Sequence, residues 1–230
     1  MRQIGDDIWV HEDTMKMVGT KLGLRMTIVR LSDGGVWIHS PTAISADLRK
    51  MIDDIGPVTS IVAANDHHSK WLQEWCEAYP EADAYVSAGI PRKVPLSIYH
   101  ILQQGLENAW PEDFVWKTMP AVPMFNETVF LHKKSNSLIV TDFIQNYPEA
   151  TPEGFAGLVK SYVFEPIGFK GQCVAPPFRL GMTRKNKPAF SEFIRDLQTW
   201  DFSQIVVTHG DIITDNAPAV FKDLSARFLD

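Results

Sequence analysis

The chain has 230 residues, 45% of them hydrophobic and 22% charged, the balance of an ordinary soluble globular protein able to bury a substantial core. A formal net charge of −6 argues against a nucleic-acid or anionic-membrane partner, since both call for a basic surface. Cys76 and Cys173 lie far apart with no Cys-x-x-Cys spacing, so neither a disulfide framework nor a zinc ribbon is indicated, and both read as buried free thiols. The charged opening residues do not form a secretory signal, and no apolar run approaches the ~20 residues of a membrane helix. A cytoplasmic protein made of a single domain over residues 1–230 is therefore expected.

In chain order, residues 8–11 and 23–31 read as strands, and Ser32-Asp-Gly-Gly35 supplies a tight turn into a strand over 36–40, giving a β-hairpin. A helix follows over 46–55, capped by Ser45, with Leu48, Met51, Ile52 and Ile55 on one face and Gly56-Pro57 at its end. Residues 59–64 form an apolar strand, and Asn65 or Asp66 can cap a helix over 69–78. A short strand is expected at 85–88. Residues 91–123 read as a loop or lid with a little helix near 97–106.

A second hairpin joins strands 127–132 and 137–141 around Lys133-Lys-Ser-Asn136, where Asn suits the turn. Residues 154–163 look helical and 165–177 irregular. A helix over 189–197 starts at Pro188, a strand covers 204–208, and a last helix runs from 218 to 228. This order of strands and helices is that of an α/β protein whose sheets are sandwiched between helices.

Three apolar strand runs end in polar residues: 60–64 before Asn65-Asp66-His67-His68, 137–141 before Asp142, and 204–208 before His209. Side chains at such strand ends meet in the crevice where α/β folds bind ligands. Imidazole and carboxylate are ordinary ligands of zinc and of non-haem iron. His67 and/or His68, Asp142 and His209 are the candidate metal ligands. Competing readings are a helix N-terminus for the histidine pair, a loop carboxylate for Asp142 and a structural hydrogen bond for His209. His11, His39, His100 and His132 stand on strands or an amphipathic segment and read as packing or surface residues. Residues 179–187 form a local basic run, either a solvated loop or a rim that attracts an anionic substrate.

The N-terminal hairpins, the Asn-x-His-His cluster, the "LIVTD" strand and the "DFSQIVVTHG" strand resemble the metallo-β-lactamase superfamily, and most of all a branch of it described as a domain of unknown function. The resemblance covers nearly the whole chain. It implies an αββα four-layer sandwich with a metal crevice at one edge. Asp142 would stand where the family's aspartate bridges two metals, and His209 where its last strand supplies a histidine.

The chain departs from the superfamily's first motif, His-x-His-x-Asp-His, reading Asn65-Asp66-His67-His68-Ser69-Lys70. In that alignment only His67 falls on a ligand position. A further histidine is missing at 123–127, where Asn126 and Glu127 are the polar residues. A cationic Lys70 beside a second metal would be repelled by its charge, so one zinc or iron ion, or none, is expected. The implied functions are a metal-dependent hydrolase acting on a small molecule or, alternatively, a degenerate non-catalytic member that serves as a binding module.

Overall fold

In the computed structural model of the protein, the described residues are 1–17, 20–104, 106, 109–120, 126–147, 165–181 and 186–229. Strands β1 (Arg2–Gly5), β2 (Ile8–Met17), β3 (Thr20–Arg30), β4 (Val36–His39), β5 (Val58–Ala63), β6 (Asp83–Val86) and β7 (His100–Ile101) lie side by side in that order. From β1 to β4 neighbouring strands are antiparallel. Helices α1 (Ala46–Asp53) and α2 (Leu72–Ala78) link β4, β5 and β6, which run parallel because each link is a crossover.

A second sheet contains β8 (Phe114–Thr118), β9 (Thr128–His132), β10 (Ser137–Ile139) and β13 (Gln204–Val206), in the order β13, β10, β9, β8. Strands β11 (Ile144–Asn146) and β12 (Gln172–Val174) form a separate antiparallel ribbon. The remaining helices are α3 (Glu165–Ile167), α4 (Pro176–Gly181), α5 (Lys187–Leu197) and α6 (Ala217–Ser225).

Period-two alternation along the strands divides the apolar residues among three cores. Met26, Ile28, Ile38, Ile61 and Ala63 face α1 and α2, with Leu48, Leu72 and Trp75 opposite. Their neighbours in sequence, Val29, Trp37 and Val62, point the other way and meet Phe130, Ile139 and Val206 of the second sheet. In turn Val129, Leu131, Leu138 and Ile205 face Phe190, Phe193 and Phe221 of α5 and α6. Three cores separate four layers, so the fold is the expected αββα sandwich. Among the described residues no helix is long and apolar enough to cross a membrane.

Several local expectations change. The expected hairpin around Ser32–Gly35 forms as β3 and β4, whereas β2, expected over 8–11, runs on to Met17 and pairs with β3 along its length. The helix expected from residue 69 begins at Leu72, after Trp71, and neither Asn65 nor Asp66 caps it, because both side chains are engaged elsewhere. In α1, Ser45 does cap, accepting from the Leu48 amide at 3.1 Å, whereas Met51 is exposed. No helix forms near 97–106 among the described residues. That stretch carries β7, and Phe114 to Thr118 form β8 at the edge of the second sheet. The segment expected to be irregular contains α3 and β12 and enters α4. The helix expected over 154–163 lies outside the described residues, as do 182–185 of the basic run. Cys173 is buried and Cys76 half-buried, with no disulfide between them.

Candidate metal centre

Strands β10 and β13 run parallel with Ile139 paired to Val206. Three residues beyond that pair on each strand stand Asp142 and His209, so the register alone brings the two side chains to the same level. The first sheet reaches the same edge through the end of β5. There the Thr128 amide donates to the Ala64 carbonyl at 3.0 Å, and Asn65 bridges Glu127 in antiparallel fashion. The loop after Asn65 delivers His68 between the sheets.

One nitrogen each from His68 and His209 and one oxygen of Asp142 all lie within 4.8 Å of one another. Asp142 Oδ1 is the hub, 3.2 Å from His68 Nε2 and 3.2 Å from His209 Nε2. His209 is oriented from behind: its Nδ1 lies 2.8 Å from the Gly23 carbonyl oxygen, which can only accept, so Nδ1 carries a proton. In the neutral ring Nε2 then presents a lone pair to a carboxylate oxygen, an arrangement that needs a proton or a cation between them. Two imidazole nitrogens and a carboxylate oxygen are an ordinary donor set for zinc or iron. Ligand atoms on a tetrahedral zinc stand about 3.3 Å apart, close to the separations around Asp142 Oδ1. A backbone carbonyl behind the ring is the usual outer support of a metal-binding histidine. The residues present fit a metal ion.

The electrostatics agree with that polarity. Burial works to raise the Asp142 pKa, but the His68 charge and the hydrogen bonds from His209 and His68 outweigh it and hold the carboxyl well below the usual range. Burial alone would lower the His209 pKa, yet the hydrogen bond and charge of Asp142 raise it. Gln145 donates from Nε2 to Asp142 Oδ1 at 3.4 Å, and its Oε1 accepts the Tyr147 hydroxyl at 2.5 Å.

Glu127, one of the two polar residues where the sequence lacks a further histidine, is fully buried beneath the cluster. Its Oε1 accepts the Thr141 amide at 2.8 Å, and its Oε2 accepts the Asp142 and Phe143 amides at 2.9 and 3.0 Å and Asn65 Nδ2 at 3.0 Å. Burial, and then the charge of Asp142, push its pKa up to about 7 against the pull of these donors. Asp66 is tied down in the same region by Ser87, the Gly89 amide and Asn126.

The cluster lines a pocket of about 340 Å³. Met15, Leu22 and Leu24 of the long hairpin wall one side, and Trp71 and Phe169 contribute rings. Ser40 turns the chain off β4 at φ 51° and also lines the pocket. No described residue of 91–120 lines it, and 105, 107–108 and 121–123 of the expected loop or lid lie outside the described residues. His67 is exposed in the pocket wall and outside the triangle. The cluster therefore holds His68, whereas the motif alignment had placed His67 on a ligand position. The Lys70 ammonium lies 4.5 Å from the Trp71 ring centroid. His39 and His132 are buried, His11 is half-buried on β2, and His100 pairs with Asp83 at the edge of the first sheet.

The family model described as a domain of unknown function (DUF4336) matches residues 5–166, well over half of the chain. The chain belongs to this family. No curated protein matches the sequence. The DUF4336 chain is similar in structure to a metallo-β-lactamase from Hirschia baltica, at TM-score 0.63 and 10% identity over 99% of this chain and 96% of that one. It is also similar to a metallo-β-lactamase from Pontibacter korlensis, at TM-score 0.59 and 13% identity over 96% of each chain. The DIM-1 metallo-β-lactamase exposed to ceftazidime matches at TM-score 0.59 and 12% identity, over 98% of this chain and 95% of that one. These likenesses give the DUF4336 chain the metallo-β-lactamase fold. At such identities they carry the fold and nothing finer.

Sequence reasoning missed Gly23, whose carbonyl sets the His209 tautomer, and Gln145 and Tyr147 behind Asp142. A backbone acceptor leaves no trace in residue type. Gln145 and Tyr147 stand two residues apart, the side-chain period of an extended strand, and that was the available signal.

Proposed function

We propose that this protein is a hydrolase of a small molecule, working with one metal ion held by His68, Asp142 and His209. The observation that carries the reading is the convergence of their three ligand atoms within 4.8 Å on the floor of a 340 Å³ pocket. A zinc or iron ion there would supply Lewis-acid polarisation of a carbonyl or phosphoryl oxygen and activation of water at neutral pH. The chain's own residues do the rest. Gly23 fixes the His209 ring, Gln145 and Tyr147 steady Asp142, and the apolar wall of Met15, Leu22 and Leu24 displaces bulk water from around the substrate. Both sheets contribute to the one site, which supports reading residues 1–230 as a single domain. Cys76 and Cys173, which form no disulfide with each other, support a reducing, cytoplasmic setting.

Elemental analysis of protein purified without chelator tests the proposal. About one zinc or iron per chain is expected, with hydrolysis of ester, lactone, amide or phosphate probes lost on chelation and restored by the metal. Metal at background in protein refilled with zinc or iron would overturn it.

The pairing of Asn65 with Glu127 favours a second reading, a non-catalytic binding module. These residues satisfy each other instead of facing the pocket. Under that reading, His68→Ala and His209→Ala leave ligand binding unchanged.

A further inference from the structure

We propose that Glu127 is the positioning residue of this site, one buried carboxylate that holds the loops carrying His68 and Asp142 at a fixed separation. Glu127 does not line the pocket, so it acts through what it binds. Three consecutive backbone amides, those of Thr141, Asp142 and Phe143, converge on it within 3.0 Å. Such a run of N–H groups is an anion-binding concavity, here filled by a side chain of the same protein.

The fourth donor, Asn65 Nδ2, belongs to the other sheet. Asn65 passes the constraint on: its Oδ1 accepts the His67 amide at 2.9 Å and its carbonyl accepts the His68 amide at 3.1 Å. From Glu127 the route to Asp142 is thus one peptide group, and the route to His68 is one side chain and one turn.

Glu127 is itself anchored by backbone on both sides. Its carbonyl accepts the Met119 amide at 2.8 Å, and the Thr128 amide after it donates to Ala64. All four partners of the carboxylate are donors, so the site requires an acceptor at both oxygens. Glutamine keeps the shape of glutamate but turns one acceptor into a donor facing an N–H. Glu127→Gln therefore breaks the clamp with little change in volume.

The metal readout rests on the proposed ligand set; the clamp does not. The experiment is Co(II) titration of the metal-free protein by visible absorption, comparing wild type, Glu127→Gln and Leu48→Ala. Leu48 is buried against α1's own sheet face, away from the cluster, and serves as the destabilised control. Glu127→Gln weakens Co(II) binding by about 10- to 100-fold, the range for supports behind a ligand, and alters the absorption bands. Leu48→Ala stays within about 3-fold with an unchanged spectrum, because it lowers stability without touching the support. Equal effects of the two variants, or no effect of Glu127→Gln, would overturn the proposal.

Should Glu127→Gln fail to fold, Asn65→Ala removes one donor and leaves the three amides. It weakens binding by about 3- to 10-fold, and an unchanged affinity counts against the clamp. If wild type takes up no Co(II), the ligand reading fails and the clamp is judged on the metal-free protein. The imidazole ¹⁵N shifts of His68 and His209 then change in Glu127→Gln and not in Leu48→Ala; unchanged shifts in both would overturn it.

Discussion

Asp142 Oδ1 stands 3.2 Å from His209 Nε2, while the other nitrogen of the same ring is committed to the Gly23 carbonyl. That commitment leaves the Asp142-facing nitrogen as the ring's open coordination position, and His68 supplies a second on the same oxygen. The chemistry of the site follows from this triangle.

Replacing any member of the triangle by alanine should weaken zinc binding by more than about 100-fold, since outer-shell supports alone account for about 10- to 100-fold. His67→Ala should change it by less than about 3-fold, because His67 lies outside the triangle. Competition titrations against a chromophoric chelator read both effects. An equal loss in His67→Ala would move the ligand position to the neighbouring residue.

Metal should also stabilise the fold. At free zinc 100 times the dissociation constant, the folded state gains about 2.7 kcal/mol by mass action. Chemical denaturation with and without zinc measures this gain. It should vanish in Asp142→Ala.

Gly210 carries the chain past His209 at φ 91°, and a Cβ there would stand 1.8 Å from the Asn146 carbonyl oxygen. Gly210→Ala is therefore expected to cost roughly 2–4 kcal/mol and to loosen His209, since both the left-handed backbone and the contact with β11 are lost. Denaturant unfolding reads the first effect and zinc affinity the second.

The acid limb of stability should carry the signature of two buried histidines. Burial, joined by the charge of His68, lowers the His39 pKa from 6.5 to about 3. Burial also lowers that of His132 to about 4 against the raising effect of Asp113 and Asp7. The folded state leaves both neutral where the unfolded chain binds protons, so their contribution is complete above pH 6.5 and is lost as pH falls toward 4 and then 3. His132→Gln should flatten the loss between pH 6.5 and 4 by on the order of 2 kcal/mol. Urea titrations across that window provide the check.

The layers were legible because residues such as Ile61-Val62-Ala63 and Ile205-Val206-Val207 are β-branched or small runs buried on both faces. Asp142 and His209 were legible as single polar residues closing such runs. The choice between His67 and His68 was not, since it depends on the turn after Asn65, where the His67 and His68 amides donate to Asn65 Oδ1 and to its carbonyl. Nor was the role of Glu127, whose partners lie 14 to 16 and 62 residues away. Strand β8 was hidden among prolines and tryptophans, although Phe114 and Val115 already alternate between buried and exposed. It forms because β9 offers a partner edge, a tertiary effect that local pattern does not carry.

Calorimetric titration of the metal-free protein with zinc tests the central claim most directly. One ion per chain is expected to bind in wild type and in His67→Ala, with no binding in Asp142→Ala. Absence of binding in wild type, or equal binding in Asp142→Ala, would contradict it.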